Sequence, residues 1–164
     1  MKTLFVVRHA KSDWGDASLR DFDRPLNKRG LRDAPFMAEK FARSGITVQA
    51  LITSPATRAL ATAGFFIAAL KLSPQNVMQE KKIYEASLGD LVNVVRSIPD
   101  EYDTVMLFGH NPGFSLLSTY ICGKQLEMPT CSVAHLEIFQ NSWSDLVMDA
   151  GRLVAFDYPK KYFS

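Results

Sequence analysis

Arginine and histidine side chains that could bind and transfer a phosphoryl group recur at three places in the chain. Arg8 and His9 are adjacent near the N-terminus, while Arg58 and His110 lie far from them in sequence. Guanidinium groups match the geometry of phosphate oxygens, and a neutral imidazole nitrogen can attack phosphorus. If the fold brings these four residues together, they form a site that contains few carboxylates. Such a site is suited to binding a phosphate dianion.

His9 is the predicted nucleophile of this site. Its attacking nitrogen must be deprotonated, and an unperturbed histidine, with a pKa of about 6.5, is mostly neutral near pH 7. Neighbouring arginines should lower the pKa of His9 further and offset negative charge on the equatorial oxygens. We expect the other ring nitrogen to donate to a backbone carbonyl.

Each of these residues follows a short apolar segment typical of a buried strand. The segments are predicted strands over residues 4–7, 50–53 and 104–108. Strands of an open, mostly parallel sheet place their carboxyl ends along one edge, where ligands bind. The pattern therefore predicts that His9, Arg58 and His110 converge in one crevice, near two helix N-termini that favour an anion.

The remaining segments alternate between helix and strand, which is typical of a layered α/β domain. Helices are predicted over 28–43, from Ser54-Pro55 to about 70, over 87–98, and from Asn111-Pro112 to about 121. Ser54 and Asn111 are the expected N-caps of the second and fourth helices, each followed by a proline at the first helical position. Further strands are predicted over 79–83, 132–139 and 151–157, and a polar loop over 13–26.

The overall composition favours one soluble, cytoplasmic domain over residues 1–164. The net charge is +2 and the basic residues are dispersed, which argues against a nucleic-acid surface. The N-terminal apolar run stops at Arg8, too short for a signal peptide, and no segment reaches the length of a membrane span. The two cysteines form no metal-binding or CxxC pattern.

Four motifs in order resemble those of the histidine phosphatase superfamily. They read LFVVRHAKS at 4–12, DFDRPLNKRG at 21–30, SPATRA at 54–59 and GHNPG at 109–113. The usual first motif contains Arg-His-Gly, whereas here Ala10 replaces the glycine. Arg-His-Ala followed by Lys-Ser is similar to the branch of small phosphohistidine phosphatases called SixA.

The resemblance implies a phosphohistidine intermediate on His9, with Arg8, Arg58 and His110 as phosphate ligands. It also implies a three-layer α/β/α sandwich with a mostly parallel central sheet, the phosphoglycerate mutase-like fold. No metal and no organic cofactor are expected in such a site.

The residue that would protonate the leaving group is Glu85, which lies between a predicted strand and a predicted helix. General acid catalysis contributes about 10²–10⁴-fold to a rate. A phosphohistidine substrate needs an acid less than an ester does, because protonated imidazole is a good leaving group. Glu85 is therefore either the proton donor or a contact to substrate or phosphate.

Three functions fit these residues. The first is hydrolysis of phosphohistidine in a phosphorylated protein, which the short segments between motifs favour because they leave little room for a lid. The second is hydrolysis of a small phosphate ester, such as a sugar phosphate or nucleotide. The third is a non-catalytic phosphate-binding module. None of them requires nucleic acid or a membrane as a partner.

Overall fold

A six-stranded sheet forms the centre of the molecule. The computed structural model describes residues 1–163, so Ser164 of the predicted domain lies outside the described part. The strands are β1 (Lys2–Arg8), β2 (Ala50–Thr53), β3 (Val77–Gln79), β4 (Thr104–Gly109), β5 (Val133–Ile138) and β6 (Gly151–Asp157). Their order across the sheet is β3-β2-β4-β1-β5-β6. Strands β1 to β4 run parallel, β5 is antiparallel to β1, and β6 is antiparallel to β5.

Four helices cover the two faces of the sheet. They are α1 (Lys28–Arg43), α2 (Thr57–Leu70), α3 (Leu88–Arg96) and α4 (Gly113–Cys122). Alternate residues of β1 point to opposite faces, so Phe5 packs in the core beneath α1 and α2 while Leu4 packs beneath α3 and α4. Both faces of β1 are buried, which explains the continuous apolar run over its residues 4–7, and the predicted three layers are confirmed. Within residues 1–163, the helices are too short or too polar to cross a bilayer.

The strand register aligns the carboxyl ends of the central strands. Arg8 at the end of β1 is level with Gly109 at the end of β4, and Thr53 at the end of β2 is level with Phe108. The residues that immediately follow these strands are therefore neighbours across the sheet. This edge of the sheet carries His9, Ser54 and His110.

Some predicted boundaries were wrong. Strand β3 covers Val77–Gln79, and Lys81–Ile83, which was expected to be strand, forms a single 3-10 turn. Helix α2 begins at Thr57 with Ala56 as its N-cap. Ser54 does not cap the helix, because its N–H still donates to Phe108 O at 2.9 Å and so continues the strand ladder.

Candidate active site

The imidazole and guanidinium groups predicted to converge do lie together at the carboxyl edge of the sheet. His9 follows β1, and its N–H donates to Gly109 O at 2.9 Å, which ties it to the end of β4. The ring centroids of His9 and His110 are 5.2 Å apart. Arg58 Nε lies 3.3 Å from His9 Nε2. These three side chains, with that of Arg8, define the cleft.

Arg58 extends from the first turn of α2, where side chains lean toward the helix N-terminus and hence toward the cleft. All three guanidinium nitrogens donate: Nε to His9 Nε2, Nη1 to Asp21 O at 2.6 Å, and Nη2 to Asp21 Oδ2 at 3.0 Å. Asp21 thus occupies the outer edge of the guanidinium. The edge that carries Nε stays turned toward His9.

The hydrogen bonds of His9 assign its protonation. His9 Nδ1 lies 2.7 Å from Ala10 O, and a carbonyl oxygen only accepts, so Nδ1 carries the proton. Nε2 is then free to accept from Arg58. Burial lowers the pKa of His9 to about 3, and the positive charges of His110, Arg58 and Arg8 act in the same direction, while the bond to Ala10 opposes them. The nitrogen facing the cleft is therefore a neutral nucleophile near pH 7.

The guanidinium of Arg8 is only partly satisfied. Its Nη1 donates to Met128 O at 2.9 Å, while its buried Nε has no hydrogen-bond partner among residues 1–163. Burial, and then the charge of Arg58, lower the pKa of Arg8. A half-buried cation with an unused donor beside a second cation is an arrangement that favours an anion.

His110 lies at the end of β4 and completes the cleft. Its Nε2 is joined to Ser54 Oγ by a hydrogen bond of 2.7 Å, and its buried Nδ1 has no partner in the described part of the chain. Burial and the charge of Arg58 lower the pKa of His110 to about 4. The ring of Tyr84 packs against His110 edge-on, with centroids 5.5 Å apart.

Asp21 adds a carboxylate that the sequence analysis did not expect in the cleft. Its Oδ2 accepts from Tyr84 Oη at 2.6 Å as well as from Arg58, and its Oδ1 accepts from Arg24 Nη2 at 2.9 Å. The Tyr84 hydrogen bond, followed by those of Arg24 and Arg58, holds the pKa of Asp21 well below its usual range. Burial, then the bond to Asp21, raise the pKa of Tyr84 to about 12.

Comparison with known proteins agrees with this geometry. Residues 4–112 match the model of the histidine phosphatase superfamily (branch 1). The chain belongs to the histidine phosphatase superfamily. It is 34% identical over 153 residues to an uncharacterised chloroplast protein of Arabidopsis thaliana, covering 88% of this chain and 70% of that protein.

Two solved structures share the fold of this histidine phosphatase. A protein of Agrobacterium tumefaciens, provisionally assigned as the phosphohistidine phosphatase SixA, superposes with a TM-score of 0.82 at 25% identity, covering 96% of this chain and 98% of that one. A mycobacterial glucosyl-3-phosphoglycerate phosphatase superposes with a TM-score of 0.73 at 16% identity, covering 97% of this chain and all of the other. The fold is therefore phosphoglycerate mutase-like.

The carboxylate of Glu85 is less closely tied to the cleft of this histidine phosphatase than that of Asp21. The side chain of Glu85 is exposed, and among residues 1–163 it makes no hydrogen bond or ion pair. Its neighbour Tyr84 is the residue of this segment that joins the network of Asp21. Ser54, expected as a helix cap, instead contacts His110. No local spacing in the sequence pointed to Asp21, Tyr84 or Ser54 as cleft residues.

Proposed function

We propose that this histidine phosphatase hydrolyses a phosphoryl group through a covalent intermediate on His9. The observation that carries the proposal is the neutral Nε2 of His9, which faces Arg58 Nε at 3.3 Å in a cleft bordered by Arg8 and His110. A neutral nucleophile beside two guanidinium groups, of which only Arg58 is paired with a carboxylate among residues 1–163, suits an anionic electrophile such as a phosphoryl group.

In the first step the lone pair of Nε2 attacks phosphorus. The hydrogen bond from Arg58 Nε to Nε2 breaks, and the Nε2–P bond forms as the bond to the leaving group breaks. A phosphohistidine leaves as neutral imidazole that keeps the proton of its own ring, whereas the alkoxide of an ester takes a proton from Glu85. Arg8, Arg58 and His110 bind the equatorial oxygens, while the bond from Nδ1 to Ala10 O holds the ring in place. In the second step water attacks phosphorus, the Nε2–P bond breaks, and inorganic phosphate is released.

The proposed substrate is phosphohistidine in a protein. Similarity to a structure assigned as SixA supports this substrate, and so does the exposure of residues 13–20, the loop that follows the His9 motif. The exposed position of Glu85 also suits a leaving group that needs little help from an acid, because an imidazole that is already protonated leaves as a neutral molecule. We assign Glu85 a secondary role, as a proton donor or substrate contact.

A small phosphate ester is the second candidate substrate. The fold shared with a glucosyl-3-phosphoglycerate phosphatase supports this candidate. An alkoxide leaves poorly without a proton, so on this substrate Glu85 would be needed as the acid.

The deciding experiment is incubation with ³²P-labelled phosphoramidate and a phosphohistidine peptide, followed by acid or base quenching. We expect an acid-labile, base-stable label on the protein, which is absent from His9→Ala, together with release of phosphate. Tight phosphate binding with neither label nor turnover would instead identify a binding module.

The substitution Glu85→Gln separates the two substrates. We expect it to reduce ester hydrolysis by about 10²-fold and phosphoramidate hydrolysis by less than about threefold. Equal losses on both substrates would contradict the phosphohistidine assignment.

A further inference from the structure

Trp14 is a large apolar side chain that the fold leaves in water. It is 71% exposed and lies in the loop that follows the His9 motif, where residues 13–20 are all exposed. Single exposed apolar residues are common and by themselves indicate nothing. Trp14 differs because a buried charged residue holds it.

That residue is Arg24, which is only 6% exposed. Its guanidinium carbon lies 3.4 Å from the centroid of the Trp14 ring, so the two groups are stacked. The nitrogens of Arg24 are all engaged elsewhere: Nε and Nη2 donate to Asp21 Oδ1, and Nη1 donates to Ser12 Oγ at 2.7 Å and to Asp13 O at 3.2 Å. The support beneath the indole is therefore rigid.

The same contacts connect Trp14 to the cleft. Asp21 accepts from Arg24 through Oδ1 and from Arg58 through Oδ2, and Arg58 in turn reaches His9. The side chains of Arg24 and Asp21 therefore connect Trp14 to Arg58, whose guanidinium contacts the nucleophile His9. One face of the indole lies on Arg24, and the side chain stays 71% exposed beside the contacts that lead through Asp21 and Arg58 to His9.

We propose that Trp14 binds the part of the substrate that lies beyond the phosphoryl group, namely an apolar or aromatic side chain close to the phosphohistidine of a substrate protein. This inference rests on the proposed function. A protein substrate is favoured because the surrounding loop is open and forms no cover over a small molecule. An indole already held in place loses little conformational freedom on binding, so its contacts contribute to affinity.

The test compares Trp14→Ala on two substrates. Phosphoramidate carries no group that can reach Trp14, whereas a phosphohistidine peptide with a flanking Leu or Phe does. We expect kcat/KM for the peptide to fall about tenfold, mainly through KM, and that for phosphoramidate to stay within about twofold. The matched control is Phe139→Ala, since Phe139 is 56% exposed and follows β5 at the opposite edge of the sheet.

A binding readout uses the two tryptophans of the chain. Trp143 is fully buried, so iodide quenching in a His9→Ala protein reports on Trp14. We expect the phosphohistidine peptide to protect the emission from iodide, and inorganic phosphate or a nucleoside monophosphate to leave it unprotected.

Three results would overturn the inference: an unchanged KM for the peptide, equal losses on peptide and phosphoramidate, or protection by the nucleotide alone. Failure of the proposed function is distinguishable, because the wild-type protein would then hydrolyse neither substrate. In that case, peptide protection in the quenching experiment would still support Trp14 as a binding surface.

Discussion

The two ends of β1 each hold a cation out of bulk water, but in opposite ways. At the amino end, Lys2 is almost completely buried, and its Nζ donates to Asp100 O, Tyr102 O and Asp103 Oδ1 at 2.8, 3.2 and 2.9 Å. At the carboxyl end, the side chain of Arg8 makes one hydrogen bond within residues 1–163, leaves its buried Nε unused there and lies near a second cation.

The difference separates a structural cation from one available to a ligand. Burial of a charge is costly unless every donor is satisfied and a counter-charge is near, and Lys2 meets both conditions. Among residues 1–163 Arg8 meets neither, so its desolvation cost is offset when an anion enters the cleft. Unused donors, and not burial alone, mark the functional end of the strand.

The largest expected effect is on catalysis at the Arg8 end. Arg8→Met should lower kcat/KM for phosphoramidate by about 10²–10³-fold, because one donor to the equatorial oxygens is lost. Its free energy of unfolding, measured in urea, should stay the same or rise, since an unneutralised cation is removed. A large loss of stability with activity retained would show that Arg8, like Lys2, is a structural cation.

At the other end, Lys2→Met should lower the free energy of unfolding by about 2 kcal/mol, because buried carbonyls lose their donor. The expected value is modest, since the side chain of Asp103 is 69% exposed and can be hydrated when its partner is gone. Phosphoramidate turnover per folded molecule should not change. Lys81→Met, which removes an exposed lysine, serves as the control in the same urea titration.

The pH dependence of stability probes the uncharged state of His9. Its pKa is about 3 in the folded protein and about 6.5 in the unfolded chain, so acid favours the unfolded chain, which binds the proton more readily. The stability associated with neutral His9 is complete above about pH 6.5 and declines as pH falls toward 3. Between pH 7 and 5 the wild-type protein should lose about 2 kcal/mol more than His9→Asn in urea unfolding. Identical pH dependence of the two proteins would show that His9 is not held neutral.

The smallest expected effect concerns Asp21. Its carboxylate partly neutralises the positive charge of the cleft at the carboxyl end of β1. Asp21→Asn should reduce kcat about tenfold, because Arg58 loses the charged partner that orients it. KM should not rise, since the cleft gains positive charge. Asp23→Asn makes the same change two positions away, where the carboxylate pairs with exposed Arg20 at 3.0 Å, and should leave both constants unaltered. A rise in KM with kcat unchanged would show that Asp21 does not act through Arg58.

Much of the fold could be predicted because its central strands are buried on both faces. β1, β2 and β4 appear as continuous apolar runs, and their predicted bounds agree with the structure to within two residues. β3 was misplaced because it is an edge strand of only three residues, too short for a hydropathy pattern to define its bounds. The start of α2 was misplaced because Ser54 and Pro55 can either open a helix or extend a strand, and local preference does not distinguish the two.

The order of strands and of the residues that follow them is enough to predict that His9, Arg58 and His110 meet, because parallel strands end at one edge of a sheet. The place of Asp21 follows from no such rule. The segment over 13–26 contains several aspartates, and only the packing of the 3-10 turn Asp21–Asp23 against α2 and Tyr84 brings one carboxylate onto Arg58. The hydropathy pattern of a segment indicates which of its side chains are buried. Contacts between a loop and distant side chains form only when the whole chain is packed.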